Sequence, residues 1–500
     1  MRTFKLLSAK QIKEWDRKTM EIQQISSEEL MERAGIKLFY TLLKNEKKAL
    51  KKRPVILFCG VGNNGGDGLV MARLLHRSGY KIKVVIVPFT KHFSHDFNVN
   101  LKKVEDLNIA LEFFDHKTKI NKKSLVIDAI FGTGLNRAAE GIAEKAIRFI
   151  NEAKKYKVIS IDIPSGMYVD RLNNPEDVIV KTDDVYSIEL PKRSFFFPEN
   201  LSYVKKYSLV SIGLEKSILK EFKTDYYTYL LDLEADLQRA DTTYKYTFGH
   251  AVIIGGSYGM LGAALLAAKA ALRAGAGLVT GVFPKSSFIP SQTSIPEVMV
   301  KTANKKKYID TIPPLASTVN AIGIGPGMGR RKKTQKALLD FIAANSTKLV
   351  LDADALTILS KNKKYLNFLS KKSILTPHDG ELSRLTGKKW SNSLEKIEIA
   401  RKFAHKHKII LVAKGPFTVI TNGKKVFFNP FANGALAKAG TGDVLTGIIT
   451  GVLAQKQKLF FSALIGVQLH SKAASFFDNK KNNKFSLLAS DLIENLKKIR

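Results

Sequence analysis

A single cysteine, Cys59, stands in a chain of 500 residues. One thiol excludes intrachain disulfides and any metal site caged by cysteines. Acidic residues are also scarce, with 45 Asp and Glu against 81 Lys and Arg and a formal charge of +36. Long apolar runs are missing, and none approaches the roughly 18 residues of a membrane-spanning helix. Met1 to Lys13 holds no continuous apolar stretch that would serve as a signal-peptide core. A cytoplasmic protein with no membrane partner is expected. The basic excess favours acidic partners such as phosphates, nucleic acid or anionic lipid. Its residues are scattered in short runs, however: Lys47-Lys48, Lys51 to Arg53, Lys305 to Lys307, Arg330 to Lys333 and Lys480-Lys481. None forms a tail, and no RNP-type, zinc-finger or basic-zipper pattern is present. A solvated lysine-rich surface with no nucleic-acid partner is the better reading. A basic nucleic-acid-binding module is kept as the alternative from another class.

What is present is ordinary globular composition, 45% hydrophobic and 25% charged, long enough for more than one core. An opening helix is expected over residues 8–21, followed by strands at 54–59, 82–87, 125–130, 158–163, 185–190 and 208–214. A polar, acidic stretch, Glu215 to Asp241, then separates these from a second series at 251–254, 278–283, 321–324, 349–351, 374–375, 409–412 and 418–421. Short β-branched runs alternating with helical stretches indicate parallel βαβ units. The expected fold class is α/β, as two tandem three-layer αβα domains over residues 1–220 and 230–500. The boundary is expected near 215–235.

In the first half, Gly60-Val-Gly-Asn-Asn-Gly-Gly-Asp-Gly68 follows a strand and opens a helix. It formally fits the Gly-x-Gly-x-x-Gly fingerprint, whose glycines admit an anion to a helix N-terminus. The ribose-binding acid expected about 20 residues on is missing from Val84 to Lys91, which disfavours a nicotinamide dehydrogenase. A tight turn without ligand explains one or two glycines, but not Asn63, Asn64 and Asp67 among them. Two further strand-end loops, Asp128 to Arg137 and Asp162 to Gly166, lie where open α/β sheets place ligands. Asn, Asp and Ser oxygens suit a hard cation better than a soft metal.

Gly62-Asn-Asn-Gly-Gly-Asp-Gly68, Asp128-Ala-Ile-Phe-Gly-Thr-Gly134, Asp162-Ile-Pro-Ser-Gly166 and Leu30-Met-Glu-Arg-Ala-Gly35 resemble the NAD(P)H-hydrate epimerase family, which commonly has Asn where this chain has Arg33. The resemblance implies that Asn63, Asn64, Gly65, Gly66 and Asp67 bind a hydrated nicotinamide nucleotide. It implies the same for Gly132, Thr133, Gly134, Leu135, Asn136, Arg137 and Ala138, together with Asp162, which is also taken as catalytic. A potassium ion is implied at Asn64, Asp128 and Ser165. On the residues alone, Asp128 instead accepts backbone N–H bonds from Gly132 and Thr133.

In the second half, Asn433-Gly-Ala-Leu-Ala-Lys-Ala-Gly-Thr-Gly-Asp443 precedes an apolar helix expected over 443–454. Small residues let loop N–H groups converge on phosphate. An Asp at the helix mouth suits a general base acting on a hydroxyl during phosphoryl transfer. The structural alternative is an N-capping Asp. Thr376-Pro-His378-Asp-Gly-Glu381, Gly255-Gly-Ser-Tyr258, Gly262-Ala-Ala264, Gly325-Pro-Gly327 and the pair Asp352 and Asp354 mark other strand ends, where the acids touch water or cation or simply cap.

Leu272-Arg-Ala-Gly-Ala-Gly-Leu278, Gly325-Pro-Gly327, Thr376-Pro-His378, Lys414-Gly415 and Gly440-Thr-Gly-Asp443 resemble the ribokinase-like NAD(P)H-hydrate dehydratase family. The resemblance implies binding of ADP, together with Mg2+, by Lys414, Gly415, Pro416, Phe417 and Thr418 and by Asn433, Gly434, Ala435, Leu436, Ala437, Lys438, Ala439, Gly440, Thr441 and Gly442. It implies that Gly325, His378 and Asp443 contact the hydrated dinucleotide, and Ala264 and Gly327 are counted with them. The implied activity is repair: the first domain epimerises NADHX and NADPHX, and the second dehydrates the S form at the expense of ADP. A homo-oligomer is expected. A ribokinase-like small-molecule kinase is the alternative, although the first half's Asn-Asn-Gly-Gly-Asp cluster has no role in one.

Overall fold

The computed structural model describes all residues except 122, 153–156, 233–238, 370, 478–482 and 500, so the Lys480-Lys481 pair lies outside the described residues. The chain forms two compact units, one of Phe4–Thr224 and one of Asp225–Arg500 joined by Met1–Thr3.

The first unit is built on seven parallel strands in the order Leu111–Phe113, Ile82–Val87, Val55–Gly60, Leu125–Ala129, Lys157–Ile161, Asp184–Ile188 and Tyr207–Val210. Alternate side chains of a strand point to opposite faces. Val55, Leu57 and Cys59 accordingly join one buried cluster with Leu38 and Leu69, while Ile56 and Phe58 join another with Ala143 and Ile147. With both faces covered, strands read as continuous apolar runs. The order reverses at Val55–Gly60, whose neighbours are Ile82–Val87 and Leu125–Ala129. The loops after Gly60 and Ala129 therefore flank the crevice where such sheets bind ligands.

The second unit contains an eleven-stranded sheet. Strand His250–Ile254, third from one edge, pairs in parallel with Leu278–Phe283 and Val319–Ile324, another reversal point. Parallel pairing continues through Lys348–Leu351, Ser373–Leu375 and Ile410–Ala413. The expected βαβ series ends there. Val419–Thr421 pairs antiparallel with Ile410–Ala413 and with Val426–Phe428. A connection of four residues, with Gly423 at φ 86, is too short for a crossover and long enough for a hairpin.

The stretch expected to hold the domain boundary contains regular elements. It holds the helix Lys216–Glu221 and the strand Tyr226–Leu230, which pairs in parallel with Val426–Phe428. Sequence reading also passed over Arg2–Lys5, Leu111–Phe113 and Met299–Thr302, each at a sheet edge. Edge strands are short and carry charge, as Lys5, Glu112 and Lys301 do here, which erases the apolar signature.

Two helices of the second unit meet along small residues. A Cβ at Gly447 of helix Thr441–Ala454 would sit 2.1 Å from the Ala267 carbonyl of helix Leu261–Arg273, and one at Gly451 would sit 2.4 Å from that of Ala271. This backbone approach fixes where the helix mouth at Thr441 opens.

Candidate active sites

At that mouth the alternative of an N-capping Asp443 fails. The N-cap position is Gly440, at φ 85, with no side-chain cap, and Asp443 lies inside the first turn. Glycine there leaves the first N–H groups without a side-chain acceptor, and the helix dipole favours an anion in front of them. The Thr441 hydroxyl closes the preceding loop by donating toward the Leu436 and Lys438 carbonyls, each at 2.8 Å. His470, from helix Leu459–Ser475, bonds the Thr441 carbonyl through Nε2 at 2.9 Å. Burial pushes its pKa down to about 4, so the ring is neutral and donates. No sequence signal marked this histidine, a lone His on an apolar helix.

Beside Asp443 is an enclosed charge cluster. Asp352 is 1% exposed. It occupies the N-cap position of helix Ala353–Lys361, yet its side chain makes no cap bond. Oδ1 instead receives the Lys414 ammonium at 2.8 Å and Oδ2 the Thr446 hydroxyl at 2.7 Å. Lys414 also lies 3.8 Å from Glu381. Burial works against the Lys414 charge, but Asp352, Glu381 and Asp443 hold its pKa above the ordinary value. Burial raises Asp443 to about 6, aided by Asp352 and Asp354 and opposed by Lys414. Burial likewise raises Glu381 to about 7, opposed first by Lys414. Asp354 is tied separately, accepting the Gly329 N–H at 2.9 Å.

His378 caps helix Asp379–Thr386. Its Nδ1 accepts the Gly380 N–H at 3.0 Å, and its own N–H donates to Glu381 at 2.9 Å. Burial and then Lys414 lower its pKa. The neutral ring with Nδ1 accepting carries its proton on Nε2, a donor near Glu381.

Gly325, at φ 126, adjoins this cluster, and a Cβ there would lie 1.9 Å from the Asp352 carbonyl. Gly327 is held by Ser257, whose hydroxyl donates to its carbonyl at 2.8 Å. Ala264 is fully buried beneath Gly255 and Gly256. Among the proposed nucleotide residues, Gly415 and Pro416 are exposed, with Phe417 and Thr418 half-buried. Asn433 caps its own turn through Ala435 N–H, while Ala435 and Leu436 face the core. Gly434, Ala437 and Ala439 are exposed, and Lys438 reaches the Phe485 carbonyl at 2.6 Å. Gly442 lies close to both Lys414 and Asp352.

In the first unit, Asp128 joins two strand-end loops. It accepts the Ser160 hydroxyl at 2.7 Å, the Ser165 N–H at 2.9 Å, the Ser165 hydroxyl at 2.5 Å and the Ile130 N–H at 3.3 Å. The N–H donors are thus Ile130 and Ser165 rather than Gly132 and Thr133. Ser165 Oγ also accepts the Phe131 N–H at 2.8 Å. Asn64 packs on Gly132, where a Cβ would come within 3.2 Å of its side chain, and its buried Nδ2 has no protein partner. Gly65 is required by packing, since a Cβ would fall 1.7 Å from the Gly60 carbonyl, whereas Gly62 faces open space. Gly66 lies against Met31. The loop residues Gly134, Asn136 and Arg137 are exposed, with Thr133, Leu135 and Ala138 half-buried. Arg33 bonds Gln23 at 2.8 Å.

The model of the YjeF-related protein N-terminus matches residues 27–194, and that of NAD(P)H-hydrate dehydratase matches residues 251–498. A bifunctional NAD(P)H-hydrate repair enzyme Nnr from Dictyoglomus turgidum is 32% identical over 98% of this chain and 97% of its own length. The chain belongs to the bifunctional NAD(P)H-hydrate repair enzyme family. A relative of the same name from Escherichia coli is 29% identical over 98% of this chain and 93% of its own. Among solved structures, an ADP/ATP-dependent NAD(P)H-hydrate dehydratase from Bacillus subtilis, crystallised with ATP and Mg2+, is 31% identical, with a TM-score of 0.45 over 52% of this chain and 92% of that one.

Within this repair-enzyme family member, sequence reading missed two groups near Asp162. Lys192 is paired with it at 2.7 Å. Asp16, on helix Ala9–Gln23, is raised to about 7 by burial and then by the charge of Asp162. Neither lies in a glycine-rich motif, so spacing alone offered no signal.

Proposed function

We propose that residues 1–220 epimerise NADHX and NADPHX, and that residues 230–500 dehydrate the S form at the expense of ADP. The observation that supports the dehydratase best is Asp443, set in the first turn of an uncapped helix mouth beside Lys414 and Asp352. Asp443 takes the proton of the ring hydroxyl. The oxygen then attacks the terminal phosphorus of ADP, and the bond to the remaining nucleotide breaks. The helix-mouth N–H groups hold the transferring charge, which suits a reaction dependent on electrostatic positioning. Phosphate is a better leaving group than water. The ring nitrogen lone pair expels it, and loss of the neighbouring ring proton restores the double bond. Mg2+ carried with ADP would neutralise phosphate charge.

The test is incubation of the full chain with mixed-epimer NADHX and ADP, following reduced-nicotinamide absorbance. Complete recovery with matching ADP consumption is expected. Recovery of the S fraction alone would remove the epimerase half of the reading, and no recovery would remove the dehydratase half. Light scattering tests the proposed homo-oligomer.

Because Asp443 must be ionised to act, dehydration is expected to fail on the acid side. The plot of kcat/KM against pH reports groups of the free enzyme, so its acid limb is expected near pH 6. A limb near 4 would mean that another carboxylate is the base. The raised values of Asp443 and Glu381 also make the folded state bind more protons than the unfolded chain between pH 4 and 7. Their contribution to stability is therefore lost as pH rises through that window.

For the epimerase, K+ would be held by Asn64, Asp128 and Ser165. Their oxygens fit a hard monovalent ion, whereas the unpartnered Asn64 Nδ2 is a donor suited to a substrate oxygen. The ion would lock the two loops together and offset phosphate charge. Asp128→Ala is expected to abolish the potassium dependence of epimerisation while leaving dehydration of pure S hydrate intact. It also removes four buried hydrogen bonds, so the first unit should melt earlier. Equal epimerase rates with and without potassium in the wild type would leave Asp128 a purely structural clamp.

A further inference from the structure

Lys192 is only 1% exposed. An ammonium in that position is costly unless its donors are met, and all three N–H groups are used. They reach Asp162 Oδ1 at 2.7 Å, the Ile188 carbonyl at 3.0 Å and the Leu190 carbonyl at 3.1 Å. Lys192 thus folds back over the end of its own strand, Asp184–Ile188, and reaches the end of the adjacent one, Lys157–Ile161. Asp162 stands there in the left-handed region at φ 65, a conformation that residues other than glycine adopt only at a cost. Its Oδ1 accepts a second bond, from the Ile188 N–H at 3.1 Å. Both contacts fall on one oxygen, and Oδ2 carries neither.

Fold stability gives no reason for this pair, since a buried ion pair is often no better than apolar side chains of similar volume. Strained backbone held by its surroundings is instead a feature of functional sites. Three further carboxyl groups face the pair. Asp16 comes from helix Ala9–Gln23, and Asp67, from helix Asn63–Arg77, is pushed well above its ordinary range by burial and then by Asp162, Asp16 and Asp96. Glu189, the third, is already bound by the N–H groups of Ile212, Gly213 and Leu214.

We propose that Lys192 is a positioning residue for hydrate epimerisation, supplying the counter-charge that fixes Asp162 through Oδ1 and leaving Oδ2 as the oxygen that meets the substrate. The inference rests on the epimerase reading above. The epimerised carbon bears both the hydroxyl and the ring nitrogen. Asp162 Oδ2 takes the hydroxyl proton, and the carbon–nitrogen bond breaks with its electron pair passing to nitrogen. The nitrogen receives a proton from the Asp67 carboxyl group, leaving an open-chain aldehyde. Rotation and the reverse transfers close the ring on the other face and return both protons, so nothing is oxidised or reduced.

The test uses the full chain and separated R and S hydrates, with ADP-dependent dehydration of pure S hydrate as the internal control. Lys192→Met is expected to slow epimerisation at pH 7 by at least roughly tenfold, since Asp162 loses both its buried counter-charge and a bond that orients it. Its acid limb should move upward, so the deficit shrinks as pH rises, and Lys192→Arg should recover part of the rate. The Asp162→Asn/Lys192→Met double variant removes both buried charges and provides a test if the single variant does not fold. It should epimerise no more slowly than Asp162→Asn alone, because Lys192 acts through Asp162. A wild-type acid limb in Lys192→Met, or an extra loss in the double variant, would overturn the inference while the epimerase reading stands. A wild-type chain that leaves R hydrate unconverted overturns that reading and this inference with it.

Discussion

Asp443→Asn is expected to lower ADP-dependent dehydration of the S hydrate by about 10²–10⁴-fold, the range for loss of a general base. The substitution keeps size and polarity, so helix Thr441–Ala454 should form unchanged. It removes a carboxylate that burial has raised to about 6, close to working pH, where a base both exists in its ionised form and accepts a proton readily. Two controls separate chemistry from binding. ADP affinity should change little or rise, because a negative charge beside the phosphates is gone, and epimerisation in the first unit should be untouched. The acid limb near pH 6 should disappear with the activity. Near wild-type turnover by a folded Asp443→Asn chain would remove Asp443 from the reaction and return it to a first-turn charge on a helix dipole.

Lys414→Met is expected to be the most destabilising single change in the second unit. Lys414 is the shared counter-charge of Asp352, which is 1% exposed, and Glu381, which is 5% exposed. Removing one partner of a buried pair typically costs about 3–5 kcal/mol, because the other is left charged without compensation. Thermal unfolding of that unit should then fall by on the order of 10 °C. The sign with pH is fixed. Without the ammonium, Glu381, already raised to about 7 against the pull of Lys414, binds its proton more readily in the folded state, so the deficit should shrink as pH falls below about 7 and grow above it. Lys414→Arg should retain much of the stability, since it keeps the charge. A melting curve identical to wild type at both pH 5 and pH 8 would show that the cluster is open enough to be solvated. Dehydration should also drop sharply in Lys414→Met, since Asp443 loses the cation that opposes its neutralisation.

The sequence by itself determined the parts that depend on local composition. β-Branched runs such as Ile82–Val87 and Leu278–Phe283 are legible because a strand buried on both faces must be apolar throughout, and the structure places both with those bounds. The glycine-rich loops are legible because backbone crowding forbids a Cβ, as at Gly65 and Gly325. These signals also carried the family and the location of both crevices, since loops at strand ends follow from chain order in an α/β sheet.

Tertiary structure alone decided which charges meet. Asp352 reads as a strand-end cap from its position, yet it binds Lys414 and Thr446, from 62 and 94 residues away. Lys192 and Asp16 belong to no motif, and only strand adjacency and a helix from the start of the chain bring them to Asp162. Edge strands escaped sequence reading because solvent lets them be polar. The same cause underlies these cases: a side chain's partner is set by the order of strands in the sheet, which non-local packing selects, whereas spacing along the chain reports only its neighbours.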